Sequence, residues 1–166
     1  MAVRELVKRD YRRIAFLGGP EQATSTQDRL AGFLEETGRH PDIDASHSFA
    51  GEYSFEEGRA AMQRLIADTP AEAYFCGDDV LAIGALSAIQ DAGLKVPGDI
   101  GLIGLNDMQI SGWQNINLTT IKQPIQQIIR SSLEQVVALL EEPDRYPESR
   151  LFPCSVVERG TLRPIP

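Results

Sequence analysis

Between Tyr74 and Leu86 the chain reads YFCGDDVLAIGAL, and this stretch decides how the rest folds. AYFC, over 73–76, is a short continuous apolar run of strand length, and the residues from Val80 to about Ala92 have the length and composition of a helix. A strand feeding directly into a helix is half of a crossover unit in a parallel sheet. Two acids, Asp78 and Asp79, occupy the joint. An acid at a helix start accepts backbone N–H bonds and meets the positive end of the helix dipole. One cap needs one acid, so Asp79 is expected to cap the helix and Asp78 to point over the strand end.

The same alternation extends in both directions. Downstream, Gly93 supplies a left-handed cap and Pro97 prevents continuation, after which DIGLIGL (99–105) reads as a buried strand. Upstream, RIAFLG (13–18) is a buried strand, and Leu30, Phe33 and Leu34 mark an amphipathic helix closing near Gly38. A strand around His47 to Phe49 precedes a helix carrying Phe55, Met62, Leu65 and Ile66, while Leu6 and Val7 mark a first helix. Strands rich in Ile, Leu, Val and Phe between crossover helices predict an α/β fold with a parallel sheet covered on both faces.

The last third differs. A polar loop (106–117) leads to LTTI, a long helix from Pro124 to about Glu142, the turn PDRYPES (143–149) and an apolar strand around LFPCSVV (151–157). Ile125, Ile128, Ile129, Leu133, Val136, Val137 and Leu140 cover so wide an arc of the helix that it must be buried against something substantial.

Composition narrows the function classes. A chain of 166 residues fits one domain, able to bury about 70% of its unfolded surface without a disulfide framework. Cys76 and Cys154 sit in apolar runs and read as thiols of a reducing compartment, so a cytoplasmic location is expected. The charged N-terminus lacks a signal-peptide core, and no apolar run approaches the ~18 residues that span a bilayer. A net charge of -8 opposes a broad electrostatic grip on nucleic acid. The basic cluster from Arg4 to Arg13 is interrupted by Glu5 and Asp10 and reads as a solvated helix face.

In an open parallel sheet, ligands bind beyond the carboxyl ends of the strands. The residues placed there are Gln22 to Ser25 with Arg29, then Glu52 and Tyr53, then Asp78 and Asp79, then Asn106 and Asp107. Each has two readings. Arg29 is a surface ion-pair residue or a fork of donors for hydroxyls or a carboxylate. Tyr53 caps the core or offers its ring to the apolar face of a sugar. Asn106 and Asp107 form a turn or face a ligand, and Trp113 packs locally or meets a partner. Catalytic signals are poor: the chain has no G-x-S-x-G elbow, P-loop or H-E-x-x-H, and His40 and His47 lack metal-ligand spacing. A magnesium site on the acidic pair is chemically conceivable, but neither a lysine nor a phosphate-cradling loop stands beside it. No catalytic residue, resident metal or cofactor is expected.

Taken in order, RIAFLGG (13–19), RLAGF (29–33), GEYSFEEG (51–58), FCGDDVLAIGAL (75–86), GLKVPGDIGLIGLND (93–107), LTTIKQ (118–123) and VVERGTL (156–162) resemble the LacI/GalR family of bacterial transcription regulators. The resemblance runs from about residue 2 to residue 163. It implies a three-layer, parallel-sheet lobe of the periplasmic-binding-protein-like type I fold: residues 1–122 as the C-terminal lobe of an effector domain, 123–150 as a crossover segment belonging to the N-terminal lobe, and 151–166 as a return strand and tail. The rest of the N-terminal lobe and the DNA-binding headpiece are expected outside these residues, so operator DNA is a partner only through that headpiece.

The resemblance also implies a small-molecule effector bound by Arg29, Tyr53, Asp78 and Asn106, with Gln123 at the lobe crossing and Ser25 on the rim. It implies a homodimer whose face includes Leu81, Ala82, Ala85, Leu86 and Trp113; one side of the apolar helix would then pack on the sheet and the other on a second subunit. Two site positions depart from the family pattern. Where Asn then Asp is common before the helix, this chain has Asp78 then Asp79, and where two acids are common it has Asn106 then Asp107. A carboxylate only accepts whereas an amide also donates, so the exchange alters which hydroxyls are preferred. Asp78 disfavours an anionic sugar acid, and a neutral sugar or polyol is expected. A periplasmic sugar-binding protein of a transporter shares the architecture, but it calls for a signal peptide and usually lacks an apolar dimer face.

Overall fold

A computed structural model describes residues 1–146 and 148–166; Pro147, within the turn expected over 143–149, lies outside the described residues. Among the described residues six strands form one sheet in the order β2-β1-β3-β4-β5-β6. They are β1 (Arg13–Gly18), β2 (Asp44–Phe49), β3 (Ala73–Cys76), β4 (Gly101–Leu105), β5 (Thr120–Lys122) and β6 (Ser155–Val157). The first five pair in parallel, and only β6, returning after the long helix, runs antiparallel to β5. β2 is polar and largely exposed because it is an edge.

Alternate residues of the central strands divide the core into two layers. Ala15, Leu17, Tyr74, Cys76 and Leu102 point to the side covered by α3 (Phe55–Ala67) and α4 (Asp79–Asp91). Ile14, Phe16, Ala73, Phe75 and Ile103 point to the side covered by α1 (Ala2–Lys8) and α2 (Thr24–Thr37). This is the three-layer α/β arrangement the alternation predicted. Helix α4 ends as expected, with Gly93 at φ 74° and the Leu94 amide donating to the Ile89 carbonyl at 3.1 Å.

The α4 residues expected at a dimer face are enclosed by this chain's own elements. Leu81, Ala82 and Ala85 are fully buried and Leu86 nearly so, all within this one chain. The neighbour is α3, which approaches to backbone contact at two glycines. A Cβ on Gly84 would lie 2.8 Å from the Arg59 amide nitrogen and closer still to the Phe55 carbonyl, and one on Gly58 would lie 2.5 Å from the Leu81 carbonyl. Four of the five residues expected to meet a second subunit are thus covered by α3 and the sheet. Trp113 alone remains exposed, at 56%.

Helix α5 (Ile125–Glu141) is the opposite case. Only Ser131 is buried along it. Its apolar arc, including Ile129, Leu133, Val136, Val137 and Leu140, is more than half exposed. The segment after it makes a few polar contacts: Arg150 donates to Ser131 Oγ at 2.9 Å, and Gln135 donates to the Glu148 carbonyl at 3.0 Å.

Candidate functional site

The carboxyl ends of β1 to β5 gather most of the residues singled out in the sequence. Tyr53, in the loop after β2, lies across the backbone that follows β1 and β3. Its ring fills the space where a Cβ on Gly19 would stand and would lie 3.0 Å from a Cβ on Gly77. Both strand ends therefore need glycine for the ring to lie flat over them. The phenol is fixed from α2: it shares a 2.7 Å hydrogen bond with Thr26 Oγ1 and accepts from Arg29 Nη1 at 2.9 Å. The Arg29 guanidinium sits 5.7 Å from the ring centroid, and among the described residues its hydrogen bond is to Tyr53 alone.

The second pair lies across the sheet. Gln123, just past β5, donates to Asn106 Oδ1 at 2.7 Å. Asn106 holds φ at 115° and Asp107 at 53°, two consecutive non-glycine residues in the left-handed region. Asp107 is anchored by Arg159 at 2.6 Å and Lys122 at 3.2 Å. Burial pushes its carboxyl up, but hydrogen bonds and charge from Arg159 and Lys122 outweigh that, leaving it below the ordinary value.

Between these pairs the acidic doublet behaves in the reverse of the expected order. Asp78, not Asp79, is the N-cap, accepting from the Leu81 amide at 2.8 Å. Asp79 is the first helical residue and turns inward, fully buried, to accept from the Met108 amide and Ser111 Oγ, each at 2.7 Å, and from Thr120 Oγ1. The helix starts one residue earlier than the apolar run suggested, and that single residue exchanges the two roles. Asp78 is half-buried at the strand end. Burial raises its carboxyl, the adjacent Asp79 adds to the effect, and the Leu81 amide and Arg29 oppose it. The two carboxylates are thus directed to different partners rather than to one cation, and no cluster of three or more His, Cys, Asp or Glu among the described residues could hold a metal.

Of the six expected ligand residues, Arg29 and Tyr53 are in contact, as are Asn106 and Gln123, and Asp78 stands at the intervening strand end. Ser25 is exposed on the first turn of α2. Sequence reasoning missed Thr26, whose buried hydroxyl orients Tyr53; its place in the first turn of the helix that follows β1 was the available signal. It also missed Arg159 and Ser111, whose partners lie 52 and 32 residues away.

Comparison with known proteins identifies the family and the fold. A model of the periplasmic binding protein-like domain matches residues 3–162. The chain is 34% identical over 164 residues to a probable HTH-type transcriptional repressor, ExuR, of Bacillus subtilis, covering 98% of this chain and 49% of that protein. It is 34% identical over 167 residues to the HTH-type transcriptional repressor CytR of Escherichia coli, with 99% and 49% covered. The chain therefore spans about half the length of the curated relatives it matches. Among solved structures, a lac repressor dimer bound to operator and the anti-inducer ONPF superimposes with a TM-score of 0.87 at 29% identity, covering 98% of this chain and 57% of that one. A LacI family regulator of Enterococcus faecalis with bound ribose shares the fold, with a TM-score of 0.87 at 23% identity over 99% of this chain and 60% of that one.

Proposed function

The chain belongs to the LacI/GalR family, within its periplasmic binding protein-like effector domain, and from that premise we propose that it senses a neutral sugar or polyol at the carboxyl ends of β1 to β5. The observation that carries this reading is the arrangement around Asp78: a Tyr53–Arg29 pair on one side and an Asn106–Gln123 pair on the other. The Tyr53 ring offers an apolar plane to a sugar face, and Arg29 donates. Asp78 accepts from hydroxyls, and the linked amides of Asn106 and Gln123 both donate and accept. A free carboxylate on the ligand would face the Asp78 carboxylate, a repulsion that Arg29 would have to offset.

In this reading the cleft closes against a second lobe, and α5 belongs to that lobe. Its open apolar arc and the roughly twofold greater length of the relatives support this. Ligand binding changes operator affinity through a headpiece outside these 166 residues, which requires different ligand affinities in the two lobe arrangements. The protein acts as a cytoplasmic homodimer with Trp113 at the subunit edge. The relatives are repressors rather than transport proteins, which favours a regulator over a transporter's binding protein. Calorimetry on the full-length protein with ribose, other neutral sugars, polyols and sugar acids tests the reading. Binding of a neutral member is expected; binding of sugar acids alone would refute the ligand class.

A further inference from the structure

Asp79 takes no part in the site proposed above, yet it is the one Asp or Glu fully buried among the described residues. A buried carboxylate persists only when donors satisfy it. Its three donors, Met108 N–H, Ser111 Oγ–H and Thr120 Oγ–H, come from the loop after β4, the short 3-10 turn Gln109–Gly112 and β5. The carboxylate is also wedged against Gly104 of β4, where a Cβ would collide with its Oδ1. All four contacts surround one piece of backbone. Asn106 and Asp107 sit inside it at positive φ, a shape that non-glycine residues keep only when the surroundings impose it. Met108 is the next residue, and Trp113 follows the 3-10 turn.

We propose that Asp79 is a positioning residue for ligand binding. Its carboxylate holds the 106–111 backbone in the shape that sets Asn106 over the strand ends, and it joins that turn to the exposed edge carrying Trp113. This rests on the reading that Asn106 contacts the ligand. Asp79 itself touches no ligand: it acts through the Met108 amide on the cleft side and through the Ser111 hydroxyl on the edge side. A disturbance at either side therefore reaches the other.

Ser111→Ala removes one donor from the edge side and leaves every cleft residue in place. In the full-length protein without any sugar, amide hydrogen exchange at Asn106 through Met108 is expected to quicken about tenfold, with β1 and β3 unchanged, because a hydrogen bond to a charged group is lost. Ser111→Thr, which restores a hydroxyl, should return the exchange toward wild type; Thr120→Val is less specific, because Thr120 Oγ1 also accepts from the Asp107 amide at 3.4 Å. Ribose affinity measured by calorimetry should fall about tenfold in Ser111→Ala. Unchanged exchange at 106–108 in Ser111→Ala would overturn the proposal. So would equal acceleration in β1, which would make Asp79 a general structural residue. Failure of ribose to bind wild type would count against the proposed ligand, while the exchange measurement would still decide the role of Asp79.

Discussion

Helices α4 and α5 both carry wide apolar surfaces, yet the fold treats them in opposite ways. Nine of the thirteen residues of α4 are buried, against one of seventeen in α5. The difference lies in side-chain size. Where α4 meets α3 it presents Gly84, and α3 presents Gly58 to Leu81, so α3 can cross it at backbone distance and cover it within the same lobe. The face of α5 carries Ile129, Leu133, Val136 and Leu140, bulky residues left more than half exposed by the described residues. An apolar helix all round demands burial, but only the shape of its face shows whether a close neighbour is accommodated.

The largest effect should come from breaking the α3–α4 seam. Gly84→Leu would drive a side chain into the α3 backbone, which cannot yield as a flexible side chain does; a loss of about 3 kcal/mol in urea unfolding is expected. A near-normal midpoint would mean that the two helices can separate without cost. The same substitution placed on each helix gives the direct contrast. Leu81→Ala should cost about 3 kcal/mol, because a fully buried leucine leaves a cavity. Leu133→Ala, at 62% exposure, should change the stability of the 166-residue chain by less than about 0.5 kcal/mol. A larger loss at Leu133 in the full-length protein than in this chain would confirm that another lobe covers α5.

The smallest effect concerns how each helix begins. Asp78 caps α4 with its side chain, whereas Pro124 before α5 offers no side-chain cap. Asparagine caps as well as aspartate, so Asp78→Asn should alter stability by less than about 1 kcal/mol. The pH dependence should differ more clearly. The folded-state pKa of Asp78 is raised above the ordinary carboxylate value of about 3.9. The folded protein therefore holds that proton more tightly, and the associated stability is full below the unfolded value and lost as pH rises through the folded one. Relative to wild type, Asp78→Asn should gain stability across that window and level off above it. Thermal melts from acid to neutral pH would show a flat difference if Asp78 titrates normally.

Much of the fold was legible in the sequence. The alternation of strand and helix, the two-sided burial of RIAFLG and AYFC, and the strand-end positions of Arg29, Tyr53, Asp78, Asn106 and Gln123 all followed from periodicity, turn chemistry and resemblance. The division of labour between Asp78 and Asp79 did not. An apolar run reports which face of a helix is covered but locates its first residue only to within one or two positions, and here one position exchanges a cap for a buried anchor. The donors that would have revealed the anchor lie 29 to 41 residues away.

What the sequence determined alone was therefore local and periodic: which segments are strands or helices, which faces are apolar, and which loops carry polar groups at the strand ends. These follow from backbone sterics and from side-chain period within a few turns of chain. The tertiary structure decided what each face meets. It set α3 against α4 and left the arc of α5 open. It also turned one of two adjacent carboxylates toward Leu81 and the other toward Met108, Ser111 and Thr120. Burial and hydrogen bonding depend on which distant groups arrive, and a linear pattern of apolar and acidic residues is the same whichever neighbour arrives.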